Sequence, residues 1–313
     1  MSTPGTRAVV FATLSVVVAA FCWGLAAVFA KGAFEAGIPP DRLAEARVAV
    51  AGVPLLLYLV VWRRPLLRPP RATLLPIAVF GVGVVAVNWA YYTAIDRLPV
   101  GVAISIQYTA PVLILVLLAL VARRNPGMLT WMAGLLTLAG AVLVSGAYSG
   151  LRDLDGFGLL AAAASAITFG VYLLSAEAAG RRGAHAVSVL TLGFAVAAVV
   201  WGVLLPWWSW PVERLAEPEI ALRVLGVGVV GTLIPFLLAV NAVRIISAAV
   251  AGIASTTEPV FAAGLAWLLL GQGLLAPQLI GGALVVTGVL LAQFARARTT
   301  PDMGESPATE VAP

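Results

Sequence analysis

Histidine, lysine and cysteine are almost missing from this sequence, and charge of either sign is scarce. The one cysteine, Cys22, rules out an intramolecular disulfide and a cysteine metal cluster. The one histidine, His185, rules out an HExxH metal site and leaves no Ser–His pair inside an apolar segment, so no metal, no other cofactor and no enzymatic activity are expected. The one lysine, Lys31, follows no glycine-rich turn. Gly81-Val82-Gly83 and Gly226-Val227-Gly228 lie within apolar runs, where close helix packing explains them better than nucleotide binding.

Charged residues make up 11% of the 313 positions, against roughly a quarter in soluble domains, and 61% are hydrophobic. Such a chain has the lipid bilayer as its solvent. The net charge of +5 rests on eighteen arginines set singly or in pairs in short gaps. A nucleic-acid-binding protein would cluster that charge on a soluble face, so no nucleic-acid partner is expected. The excess of Arg over Lys, with abundant Ala, Gly, Val and Leu, points to a GC-rich, bacterial genome.

What is present in quantity is apolar sequence. Runs lie near residues 8–30, 43–62, 74–94, 100–122, 128–147, 157–176, 186–206, 222–243, 248–270 and 275–294. Each is close to the ~20 residues an α-helix needs to cross ~30 Å of hydrocarbon, and none alternates as a porin strand does. The sequence therefore predicts an all-α integral membrane protein of ten transmembrane helices. The first run is too long for a signal-peptide core and reads as a retained helix. The gaps, such as Arg63-Arg64-Pro65 and Arg181-Arg182-Gly183, leave no room for a soluble catalytic domain. With the N-terminus in the cytoplasm, twelve Arg fall inside and seven Lys or Arg outside, so both termini are placed inside, at the cell membrane. The polar, Pro-rich segment 299–313 reads as a disordered cytoplasmic tail.

An offset of 148 residues superposes the chain on itself: Thr109-Ala110-Pro111-Val112 falls on Thr257-Glu258-Pro259-Val260, Gly134 on Gly282 and Gly140 on Gly288. Shared Pro and Gly positions are not demanded by hydrophobicity alone. Each copy, 8–147 and 157–294, holds five spans, and an odd number turns the second copy upside down in the membrane. Two inverted-topology five-helix repeats result, an architecture of secondary transporters whose sites lie near the midplane.

Glu258 falls near the bilayer centre, where a carboxylate costs on the order of 2.5–3.5 kcal/mol on insertion scales. Pro259 opens the ladder near Ser255, and the hydroxyls of Ser255, Thr256 and Thr257 can re-satisfy the backbone, so the stretch reads as a bent helix lining a cavity. Glu258 can serve a substrate or a proton there, or make a structural bond. In the first repeat Pro111 sets the same bend, but Ala110 stands where the carboxylate would be. Gln107 and Tyr108 can bind a ligand or join helices. Arg47 can snorkel outward, or hold a substrate carboxylate or Glu258. Asn88, Tyr91 and Tyr92, with Trp23 and Trp89, offer the groups a small-molecule pocket uses, although each taken singly is more often a packing residue. Trp207, Trp208 and Trp210 read as an interfacial belt.

The tract TTEPVFAAGLAWLLLGQ, then PQLIGGALVVTGVLL, and FCWGLAAVFAKGA in the first span resemble the EamA family of the drug/metabolite transporter superfamily. The resemblance covers about residues 10–295. It implies ten helices in two five-helix repeats and export of amino acids, other metabolites or drugs. It marks Trp23, Gly24, Arg47, Pro111, Glu258 and Pro259 as family positions, and the chain departs at Gln272, where the family commonly has an acidic residue. The expected function is secondary export of a small-molecule substrate by alternating access, with protons a candidate coupling ion. A facilitator or importer, and a non-transporting scaffold or sensor, are the alternatives.

Overall fold

The computed structural model describes residues 6–121, 123, 125–149, 154–270 and 273–299. The tail from 300 onward, Arg124, Arg152, Asp153 and Gln272 lie outside the described residues. Among those described there is no strand, and ten helical spans are long and apolar enough to cross a membrane.

In the first repeat the spans are α1 (Thr6–Glu35), α2 (Pro40–Trp62), α3 (Leu74–Arg97), a fourth made of α4 (Val100–Gln107) and α5 (Ala110–Leu120), and α6 (Met128–Ser145). In the second they are α7 (Gly156–Arg181), α8 (Ala186–Leu204), an eighth made of α9 (Pro218–Gly228) and α10 (Ile234–Ala242), a ninth made of α11 (Ala248–Ser255) and α12 (Glu258–Leu270), and α13 (Ala276–Thr299). Local chemistry sets several of the boundaries. Pro40 and Pro218 open α2 and α9, where a missing N–H costs nothing. Asp155 caps α7 by accepting from Gly158 N at 2.6 Å. Gly37, at φ +86°, allows the tight turn from α1 into α2.

Three spans are interrupted. The fourth and ninth break two to three residues before Pro111 and Pro259, and around the second break Ser255, Thr256 and Thr257 Oγ atoms donate to the carbonyls of Ala251, Ile253 and Ala254. The eighth carries a π-helical turn, Val229–Leu233, just before Pro235. Sequence periodicity did not show this third interruption.

The spans pair across the repeats. The third span of one repeat packs on the first span of the other, α3 on α7 and α9–α10 on α1, and the two fifth spans, α6 and α13, lie together. Packing inside a bilayer gains little from hydrophobicity and depends on close backbone approach at small residues. At the α6–α13 seam a Cβ on Gly281 would lie 2.7 Å from Gly140 O, and one on Gly140 would lie 2.6 Å from Gly281 O. We expect Gly281→Val to cost about 1–3 kcal/mol by overpacking. A detergent melting curve reads this directly, and an unchanged melting temperature would contradict the seam.

The interrupted fourth and ninth spans cross each other where Gly252 meets the ring of Pro111, a Cβ at Gly252 falling 3.2 Å from Pro111 Cγ. At one end of the bundle the crossing is closed by Glu177, whose Oε2 accepts from Ala248 N at the start of α11 (2.7 Å) and whose Oε1 pairs with Arg181. The other end, with the Gly37–Pro40 turn and Asp96, borders open space.

Candidate functional site

A cavity of about 860 Å³ runs from that open end to the middle of the spans, within the range of small-molecule sites. Trp23 and Phe34 come from α1, Arg47 from α2, Asn88, Tyr91, Tyr92 and Asp96 from α3, and Gln107 and Tyr108 from the fourth span. The second repeat adds Phe169 and Tyr172 from α7, Gly231 and Phe236 from the eighth span, and Glu258, Ala262 and Leu265 from α12.

Arg47 is 7% exposed and does not snorkel. Its Nε donates to Thr232 Oγ1 at 2.7 Å, Nη1 to Asn88 Oδ1 at 2.5 Å and Tyr92 OH at 3.1 Å, and Nη2 to Gly231 O at 2.5 Å. The last acceptor exists because of a proline: Pro235 has no N–H for the carbonyl four residues back, and Arg47 takes its place. Asn88 is held in turn by donating from Nδ2 to Val84 O at 2.6 Å, and Thr232 Oγ1 by donating to Val227 O at 3.0 Å. Among the described residues no carboxylate reaches ion-pair distance of Arg47, and one N–H of Nη2 stays uncommitted.

Glu258 occupies the first turn of α12, where the helix dipole favours an anion. It is half-buried, and Tyr108 OH donates to its Oε2 at 2.5 Å. Oε1 has no hydrogen-bond partner among the described residues. Arg47 and Glu258 line the same cavity, and no ion pair joins them. Away from the open end, where Asp96 is exposed, the cavity thus holds one cation, Arg47, and one anion, Glu258, each with a free valence.

Of the residues singled out by sequence, Trp23, Arg47, Asn88, Tyr91, Tyr92, Gln107, Tyr108 and Glu258 share this cavity. Ser255 does not: it is 1% exposed and its hydroxyl turns back to Ala251 O, the usual habit of a mid-helix serine. Trp89 is 46% exposed on the outside of the bundle. Of the three outer tryptophans, Trp208 alone is free as a belt residue would be; Trp207 donates to Ala198 O and Trp210 to Arg42 O. Sequence reasoning missed Thr232, Gly231, Phe169, Tyr172 and Phe236. Pro235 was a usable signal for the first two, since the logic applied to Pro259 points from it to a free carbonyl at Gly231.

Ten spans in two inverted repeats, with a cavity between the halves near mid-span, define a membrane transporter. The chain belongs to the EamA-like transporter family, which matches it twice, over residues 10–146 and 156–294. It is similar to the threonine/homoserine exporter RhtA of Escherichia coli strain K12, 25% identical over 250 residues that cover 78% of each chain. An uncharacterised transporter of Archaeoglobus fulgidus is 32% identical over 226 residues, 72% of this chain and 77% of its own. A solved crystal structure superposes with a TM-score of 0.73 at 22% identity, over 93% of this chain and 99% of its own, and supports the fold.

Proposed function

We propose that the protein exports amino acids across the cytoplasmic membrane by alternating access, with protons as the counter-ion. The observation that carries this reading is the pair of opposed, unsatisfied charges in one aromatic cavity. Arg47 is surrounded by neutral acceptors and keeps an N–H for a carboxylate, while Glu258 keeps an oxygen for an ammonium group. A zwitterion satisfies both, and the apolar lining of Val28, Ile38 and Leu265 accommodates its side chain. The RhtA relatives, described as exporters of threonine and homoserine, agree with that chemistry.

The two repeats, 8–147 and 157–294, are the working halves. With both termini in the cytoplasm, as the arginine bias favours, the open end of the cavity faces outward and Glu177 closes the inner end. Release of Glu177 from α11 and closure of α1 toward α4 would turn the cavity inward. In proteoliposomes, saturable flux is expected for at least one of L-threonine, L-leucine and L-phenylalanine. Little flux is expected for the same compound amidated at the carboxylate or acetylated at the amine. Equal flux of the blocked compounds would refute the zwitterion site, and absence of saturable flux for all three would refute the function.

A further inference from the structure

The break in the fourth span carries four polar side chains in five residues, Ser105, Gln107, Tyr108 and Thr109, and three of them have partners. Ser105 Oγ meets Ser145 Oγ on α6 at 2.6 Å, Tyr108 OH donates to Glu258, and Thr109 Oγ1 donates to Ile106 O at 2.7 Å. Gln107, the last residue of α4, is the exception: no hydrogen bond from the described residues reaches its amide. Its side chain is buried to 9% exposure, and the space it lines is the cavity. Neither its oxygen nor its nitrogen is among the unpartnered polar atoms that the fold seals off, so both stay within reach of a ligand.

Leucine or methionine would fill this part of the wall without desolvating an amide, which costs stability in a lipid-spanning segment unless the amide is bonded. The amide therefore calls for a partner that enters the cavity. It presents one acceptor and two N–H donors side by side. A hydroxyl satisfies one of these at a time, and an alkyl or thioether group satisfies none. A second carboxamide satisfies a donor and the acceptor together, through two antiparallel hydrogen bonds. A carboxylate takes the donors only, and it would meet the charge of Glu258 in the same cavity. Tyr91 on α3 adds a second uncommitted neutral group. It is half-buried, lines the cavity and packs against Ile104 and Tyr108, and its hydroxyl is neither partnered nor sealed off.

We propose that Gln107 is a specificity-determining residue that binds the side-chain carboxamide of an amino-acid substrate such as glutamine, while Arg47 and Glu258 hold its α-carboxylate and α-ammonium groups. The proposal rests on the amino-acid reading above. Its test is calorimetric binding to the purified full-length protein, wild type and Gln107→Met, with melting followed in parallel. The probes are L-glutamine, L-methionine, which has nearly the same length without the carboxamide, and L-glutamate. Wild type is expected to bind glutamine about tenfold more tightly than methionine, and glutamate more weakly than glutamine. Gln107→Met should bind glutamine no more tightly than methionine, with an unliganded melting temperature equal to or above wild type. A wild type without preference for glutamine over methionine, a variant that keeps that preference, or a lower unliganded melting temperature would overturn the proposal. A wild type that binds none of L-glutamine, L-threonine, L-leucine and L-phenylalanine removes the functional reading itself, whereas binding of these without a preference for glutamine removes only the role of Gln107.

Discussion

Arg47→Lys is expected to keep the fold and the positive charge and still lose substrate affinity by roughly 10- to 150-fold, the equivalent of one charge-assisted hydrogen bond of about 1.5–3 kcal/mol. The reason lies in the shape of the guanidinium. Its fork satisfies Thr232, Asn88, Tyr92 and Gly231 together and still presents an N–H to the cavity. A lysine ammonium is a point donor with three N–H groups, so serving the inner acceptors leaves little for a ligand. Arg47→Met would be uninformative: it strands several buried acceptors at about 1–3 kcal/mol each, comparable with the whole stability of many proteins. Lysine separates recognition from folding. Calorimetric titration of Arg47→Lys with a transported amino acid and its amide measures the effect, with melting followed in parallel. Wild type should prefer the free carboxylate strongly, and the variant should lose most of that preference. A variant with wild-type affinity and preference would show that Arg47 is held for the sake of the helices alone.

The fold was legible because lipid leaves few alternatives. Every backbone polar group must be satisfied within a span, so ten apolar runs mean ten helices, and the interruptions fall beside prolines, at Pro111, Pro235 and Pro259, although Pro54 sits inside an unbroken α2. The destination of Arg47 was not legible, because sequence shows that a residue is on a helix but not how that helix is rotated about its axis. The π-helical turn escaped for a related reason: one extra residue in a turn hardly alters an apolar pattern, although it fixes where Gly231 O and Thr232 point. Ser255 is absent from the cavity wall and Tyr172 belongs to it, on local grounds. A serine hydroxyl can return to its own helix, whereas a tyrosine hydroxyl ends too far from the backbone to do so.

The 148-residue offset also shows how the repeats have diverged around the site. Glu258 is matched by Ala110 in the first repeat, and Arg47 by Ala195 in the second. Each half supplies one charge and places a methyl group at the other's counterpart. An inverted repeat can exchange the conformations of its halves as a cavity changes sides, so on the proposed function symmetry would govern the movement. On the same reading the asymmetric charges would select what is carried, with one charge drawn from each repeat.

Glu258→Gln bears on the coupling. In an exchanger with one carboxylate at mid-span, proton and substrate ammonium compete for the same oxygen, and an empty, charged carboxylate there opposes the return step. Glutamine keeps the side-chain length and an oxygen for the Tyr108 hydroxyl, so the variant should fold and melt close to wild type. It removes the charge, which should weaken amino-acid binding by roughly 10- to 150-fold and leave the residual flux insensitive to an imposed pH gradient. Wild-type efflux, by contrast, should be driven by protons moving the opposite way. Flux through Glu258→Gln that keeps the full pH dependence would place the coupling elsewhere. A variant that melts lower with an unchanged pH profile would assign Glu258 to holding the start of α12. The expected result ties both to one atom, because Oε1 is the oxygen that the fold leaves without a partner and the proton and the substrate would have to share.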